Sequence, residues 1–125
     1  MIQKLILVAL AGAVGTLCRY GLGNLVHRWL SAGFPWGTVC VNLVGSFAFG
    51  LVWALAVQRA VIGPEARLII LTGFMGAFTT FSTFMFETGE LLRGGQWLFA
   101  MGNLALQNII GLLAVLAGMA LARAL

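Results

Sequence analysis

Charged and catalytic side chains are scarce in this sequence of 125 residues. It contains no aspartate, one histidine (His27) and three glutamates. Only 8% of the residues are charged, whereas soluble domains carry about 25% charged residues. Such a chain cannot cover a water-facing surface, and it has few groups for acid–base catalysis. Because 62% of the residues are hydrophobic, the composition predicts an integral membrane protein that is not an enzyme.

The two cysteines, Cys18 and Cys40, both lie within apolar stretches, so neither a disulfide framework nor a metal site is expected from them. The formal net charge of +4 resides in loops and termini. In a membrane protein this placement indicates topology and contact with lipid headgroups rather than nucleic-acid binding.

The apolar residues form four blocks joined by short segments. A span needs about 20 residues, so the length predicts one all-α membrane domain without a soluble part. Lys4 and the apolar residues after it also fit a signal peptide, but the rest of the chain is equally apolar, which favours a first span. We expect a single domain, 1–125, with helices at about 4–26, 36–58, 67–92 and 96–122.

The third block contains an unusual mixture of side chains. Between Gly73 and Glu87 lie two glycines, four hydroxyl side chains and five phenylalanines. Helical spacing predicts one aromatic face and a neighbouring, largely hydroxyl-bearing face. The aromatic face would carry Phe74, Phe78, Phe81 and Phe84, and the other Thr79, Ser82, Thr83 and Phe86. Unpaired polar groups in hydrocarbon are costly, so we predict that this segment lines a pathway for something small and polar.

Other polar residues occupy the remaining blocks. Asn42 either bridges two helices or offers its amide to an anion, and its spacing does not choose between these roles. Asn103 and Gln107 are spaced i, i+4, and Gly111 continues their face, which predicts a stripe that faces protein or water. Arg19 either extends to the headgroups or attracts anions at the mouth of a cavity.

The positions of the acids favour one class of transport. Glu87 and Glu90 lie near the end of the third block, and Glu65 lies in a loop. A proton-coupled carrier needs an acid in the middle of a span, so a passive channel for a neutral or anionic solute is favoured. Two alternatives remain: a small four-helix proton-coupled cation or multidrug antiporter, and a membrane subunit that transports nothing.

The basic residues are distributed almost evenly between the two sides of the predicted bundle. One side carries four and the other two or three: Lys4, Arg59, Arg67 and Arg123 against Arg28 and Arg93, with Arg19 near the latter. Such a weak bias does not impose one orientation. It allows insertion both ways round, and therefore an antiparallel homodimer with closed two-fold symmetry.

The string Gly73-Phe-Met-Gly-Ala-Phe-Thr-Thr-Phe-Ser-Thr-Phe84, followed by Glu87-Thr88, resembles the hallmark of the Fluc (CrcB) fluoride channels. The segments Trp36–Thr38 and Val41–Gly45 resemble that family's second-helix motif, and the first block is similar in its glycines and Arg19. The resemblance implies four transmembrane helices with the third helix broken, in an antiparallel, dual-topology homodimer. It also implies two fluoride pores and a multi-pass location in the bacterial inner membrane.

The resemblance further implies roles for individual residues. Phe81 and Phe84 match pore phenylalanines whose ring edges face the ion, and Asn42 matches an asparagine that donates its amide. Ser82 and Thr83 match hydroxyls beside that path.

Gly76 and Thr79 match positions at the helix break whose backbone carbonyls hold a structural sodium ion at the dimer interface. Arg19 matches the family's first-helix arginine. The fourth helix departs from the family pattern, because Asn103 and Gln107 stand where many relatives have a tyrosine and a serine. Both are polar, so the resemblance still implies a hydrogen-bonding track there.

Overall fold

The computed structural model describes residues 1–30 and 32–125, which form a helical bundle. Ser31, which the sequence places in an interfacial loop, lies outside the described residues. Within the described part of the chain, four helical segments are long and apolar enough to cross a membrane. The third, Pro64–Arg93, is interrupted. The helices are α1 (Ile2–Trp29), α2 (Trp36–Val57), α3 (64–78), α4 (Phe81–Arg93) and α5 (Trp97–Ala124).

The first helix continues further than the sequence analysis expected. His27 and Trp29 were predicted to lie in a loop, but both belong to α1. The His27 Nδ1–H donates to the carbonyl of Gly23 at 2.7 Å, and the ring lies against Gly37, where any side chain would collide with it. Basic residues are favourable in a last helical turn, and the chain has no proline before Pro35 to end the helix.

Glycines allow the helices to pack backbone against backbone. A Cβ at Gly50 of α2 would collide with the carbonyl oxygen of Val115, and one at Gly118 of α5 would collide with that of Phe47. These two contacts are reciprocal and draw α2 and α5 together. In α1, Gly15 is packed in the same way on the carbonyl of Phe74. Close approach at small residues is the usual basis of helix association in membranes.

The four basic residues that the sequence analysis assigns to one side lie at one end of the bundle. Arg59 donates to the carbonyls of Ala122 and Arg123 at 3.3 and 3.4 Å, so the ends of α2 and α5 meet. Lys4 and Arg67 line a common groove at the same end. Arg93 lies on α4, a full span away from Arg67 in the third helical segment.

Two stretches of the bundle are wound more widely than an α-helix. They are Ile69–Met75 in α3 and Leu106–Ile110 in α5. Such π-helical turns are rare and frequently accompany functional sites. The first stretch lies just before the break between α3 and α4. The second contains Gln107, one of the amide side chains near that break.

Candidate functional site

The centre of the site is the interruption between α3 and α4. Thr79 has φ −82° and ψ 159°, and Thr80 has φ −147° and ψ 111°, so two consecutive residues are extended. The last backbone hydrogen bond of α3 joins the Thr79 N–H to the carbonyl of Met75 at 3.0 Å. The Thr80 hydroxyl then caps α4 by accepting from the N–H of Thr83 at 3.3 Å. The chain therefore stops one helix and starts another within two residues.

Asn42 of α2 holds the broken segment open. Its Oδ1 accepts the backbone N–H of Thr80 at 2.8 Å, and its Nδ2 donates to the carbonyl of the same residue at 3.0 Å. The amide thus pairs with both backbone polar groups of one residue, much as a neighbouring strand would. In an uninterrupted helix the Thr80 N–H would bond to the carbonyl of Gly76, so this pairing leaves that carbonyl without its helical donor.

A chain of side-chain amides extends from Asn42 into the bundle. Asn42 Nδ2 also donates to Oε1 of Gln107 at 2.6 Å, and Gln107 Nε2 donates to Oδ1 of Asn103 at 2.8 Å. Asn103 is fully buried and donates to the Thr88 hydroxyl at 2.9 Å, which donates to the carbonyl of Phe84 at 2.7 Å. The predicted polar stripe of α5 therefore faces protein. Asn42 bridges helices, which was one of its two possible roles.

The phenylalanines form two pairs, not one continuous face. Phe74 and Phe78 stack with centroids 5.6 Å apart, whereas Phe81 and Phe84 meet edge to face at 5.9 Å. The predicted continuous i, i+4, i+7 face was wrong, because the extended residues between the pairs reset the helical phase. Phe84 is buried at 4% exposure, while Phe81 is 73% exposed.

Two clefts meet at Thr80. The first, which we call the arginine cleft, has a volume of about 340 Å³. The second, the phenylalanine cleft, has a volume of about 200 Å³. The arginine cleft is lined by Arg19, His27 and polar residues that include Thr16, Asn24, Thr38, Thr80 and Thr83. The phenylalanine cleft is lined by Asn42, Ser46, Thr80, Phe81, Phe84, Gln107 and Asn108. Together they place a basic and hydroxyl-rich cleft beside one that is lined by amides and aromatic rings.

Comparison with known proteins places the chain in a family. The family described as "CrcB-like protein, Camphor Resistance (CrcB)" matches residues 6–119, which is most of the sequence. This chain belongs to the CrcB family. CrcB relatives named "Fluoride-specific ion channel FluC" match it over nearly their whole length. The relative from Solidesulfovibrio magneticus is 54% identical over 98% of each chain. The relative from Nitrosococcus oceani is 56% identical over 94% of each chain.

The remaining candidate residues of this CrcB chain lie around the break. Thr83 lines the arginine cleft, while Ser82 is exposed at the start of α4 and lines neither cleft. Gly76 is exposed in the last turn of α3. The Thr79 hydroxyl donates to the carbonyl of Met75 at 3.0 Å. Arg19 is half-buried in the arginine cleft. In the part of the chain that the structure describes, the only ion pair joins Arg93 to Glu90.

Two further contacts of this CrcB chain were not anticipated from the sequence. The Thr38 hydroxyl donates to Oε1 of Glu87 at 2.8 Å, so this acid is tied to the first turn of α2. Thr88 meets Asn103 across the turn between α4 and α5. The contact between Thr88 and Asn103 could have been predicted from the sequence. Residues at similar distances from a hairpin turn pack opposite each other, and Thr88 and Asn103 nearly satisfy this relation about Gly94 and Gly95.

Proposed function

We propose that this CrcB protein is a fluoride-selective channel that lets fluoride leave the cell passively across the inner membrane and so lowers cytoplasmic fluoride. The observation that carries the proposal is the phenylalanine cleft. It combines the amides of Asn42 and Gln107 with the Phe81–Phe84 edge contact, in a chain whose relatives are named for fluoride.

The chemistry of the cleft suits a small anion. An ion that leaves water for an apolar passage loses hydration at great cost unless the protein supplies other partners. Amide N–H groups supply direct hydrogen bonds, and the edges of aromatic rings are electropositive. Because Asn42, Phe81 and Phe84 carry no charge, the ion meets donors without being trapped by a fixed opposite charge.

A route through the two clefts follows from their shared wall. Arg19 supplies positive charge in the first cleft, where Thr83 and the neighbouring Ser82 add hydroxyls near the break. Thr80 borders both clefts, so an anion drawn into the arginine cleft passes this residue to reach Asn42. No energy source beyond the membrane potential is required, since a cell-negative potential favours anion exit by about 2.3 kcal/mol per 100 mV.

Two antiparallel copies would complete the structure. Ser82, Thr83 and Gly76 are exposed at the break, and polar groups facing hydrocarbon at this depth are unfavourable. A second copy related by a two-fold axis would cover them and give two equivalent pores. The nearly even distribution of basic residues between the two ends supports insertion in both orientations.

A sodium ion fits the exposed end of α3. The carbonyl of Gly76 lacks its helical donor because Asn42 takes the N–H of Thr80, and Thr79 adds a carbonyl in extended backbone. Hard cations prefer oxygen ligands. Carbonyls of Gly76 and Thr79 from both copies would therefore hold sodium at the dimer interface. When bound, the ion would supply positive potential to the nearby anion path.

Gly76→Val tests the dimer and its cation together. A Cβ at Gly76 meets only the Leu71 carbonyl, at an ordinary 3.8 Å, so a single chain has room for the substitution. We expect the variant to retain its helix content but to lose dimers and sodium-dependent stabilisation, because the added bulk faces the partner. The mass of the detergent-solubilised protein and its melting temperature with and without sodium are the measurements. Gly102→Val, at a glycine with open surroundings, is the control. A Gly76→Val protein that stays dimeric and responds to sodium would contradict this arrangement.

Fluoride efflux from proteoliposomes tests the function itself. We expect vesicles containing the protein to release fluoride under an applied potential and to retain chloride. Absence of fluoride release, or equal release of chloride, would refute the proposal. Drug uptake driven by a pH gradient would instead identify an antiporter. Failure of both assays would leave a subunit whose polar residues only join helices.

A further inference from the structure

The direction of every hydrogen bond in the amide chain is set by backbone groups at its two ends. At one end the Thr80 N–H can only donate, so the atom of Asn42 that faces it is Oδ1 and the nitrogen faces Gln107. At the other end the carbonyl of Phe84 can only accept, so the Thr88 hydroxyl donates to it and accepts from Asn103. Reversing any amide would place oxygen against oxygen or nitrogen against nitrogen.

This fixed direction has a consequence for an anion in the phenylalanine cleft. Asn42 has two amide hydrogens, and both are already donated, one to the Thr80 carbonyl and one to Gln107 Oε1. An anion can only accept hydrogen bonds, so it must displace one of these two oxygens to reach Asn42. The Thr80 carbonyl is held by the backbone, whereas Gln107 Oε1 is at the end of a half-buried side chain that lines the cleft.

We infer that Gln107 is a displaceable latch on the anion site. Its carbonyl oxygen occupies the position at Asn42 that the ion takes, and the ion enters by exchanging with it. This inference rests on the proposed channel function.

Gln107→Met tests the latch, because methionine has a similar length but cannot compete for the Asn42 hydrogen. We expect the fluoride concentration that gives half-maximal flux into or out of proteoliposomes to fall about fivefold, which corresponds to one ordinary hydrogen bond no longer displaced. A residue that served mainly as an anion donor would show the opposite sign. Gln58→Met is the matched control, since Gln58 bonds only to Arg123 at the end of the bundle, and it should leave half-saturation unchanged.

Gln107→Glu provides a second variant that retains an acceptor at Asn42 and makes it stronger. We expect half-saturation to rise at least tenfold in this protein. In the unsubstituted protein, fluoride titration should shift the side-chain amide resonances of Asn42 and Gln107 while leaving those of Gln58, at the end of the bundle, in place. This measurement does not depend on the stability of either variant.

The outcomes separate the latch from the channel function. Unsubstituted protein that passes no fluoride would overturn both. Normal flux in that protein, with unchanged or higher half-saturation in folded Gln107→Met, would overturn the latch alone. Amide resonances of Gln107 that ignore fluoride while the protein conducts would overturn it as well.

Discussion

Fluoride flux falls at least a hundredfold in Asn42→Asp, although the side chain keeps its size and shape. One carboxylate oxygen can still accept the Thr80 N–H, but the other replaces an NH₂ group that donates at 3.0 Å to the Thr80 carbonyl and at 2.6 Å to Gln107. Two hydrogen bonds become contacts between oxygens. Leaving a buried acceptor unpaired costs about 1–3 kcal/mol, and a carboxylate also repels an anion. A fluoride-selective electrode outside potassium fluoride-loaded vesicles measures the effect.

Cys40→Ala is the control for this substitution, because it alters α2 one half-turn away without touching the amide chain. Its flux should equal that of the unsubstituted protein. Circular dichroism separates loss of the pathway from unfolding, since the folded Asn42→Asp protein should retain its helix content. Flux in that protein within threefold of normal would show that Asn42 is not on the ion path.

Gly118→Ala should strongly destabilise the bundle, although it adds a single methyl group. Its Cβ would collide with the carbonyl oxygen of Phe47 and lie 2.8 Å from the backbone nitrogen of Leu51. Both are main-chain atoms, so α2 and α5 must separate to make room. We expect the free energy of unfolding to fall by about 3 kcal/mol or more, the upper part of the range for overpacked cores. Equilibrium unfolding in mixed detergent is the measurement.

Gly102→Ala is the matched control on the same helix. No atom lies within 4 Å of a Cβ at this position, so the substitution removes only the conformational freedom of glycine. It should leave stability unchanged or raise it by up to about 1 kcal/mol. Equal losses at Gly102 and Gly118 would indicate that helix propensity, and not the α2–α5 contact, governs the result.

Membrane character could be predicted from the sequence because it depends on composition. The apolar blocks and the low share of charged residues, 8%, indicate that most of the chain is surrounded by lipid and not by water. The motif from Gly73 to Thr88 also sufficed to indicate the family, which the match to CrcB confirms. The i, i+4 spacing of Asn103 and Gln107 predicted a stripe that faces protein or water, because two amides on one face are unfavourable toward lipid. The structure places it against protein.

The prediction from sequence was wrong at two places. The phenylalanine spacing assumed one helix through Gly73–Glu87, but the extended residues Thr79 and Thr80 separate the rings into two pairs. The loop expected at His27 is helix. In both cases the local sequence was compatible with either conformation. At the break, Asn42 makes the choice from elsewhere in the chain by binding the N–H of Thr80. At His27 the sequence has no proline to end the helix before Pro35.

For the stretch around the break, the sequence predicts the kinds of side chain present but not their hydrogen-bond partners. Its residue types determined by themselves that hydroxyls and aromatic rings lie at membrane depth, and that their polar groups need partners. Only the tertiary structure decided which partners they have. Asn42 reaches Thr80 across 38 residues and Gln107 across 65 residues. Such pairings depend on how glycine-lined helices pack and on which backbone groups the break releases, and neither is encoded in local spacing.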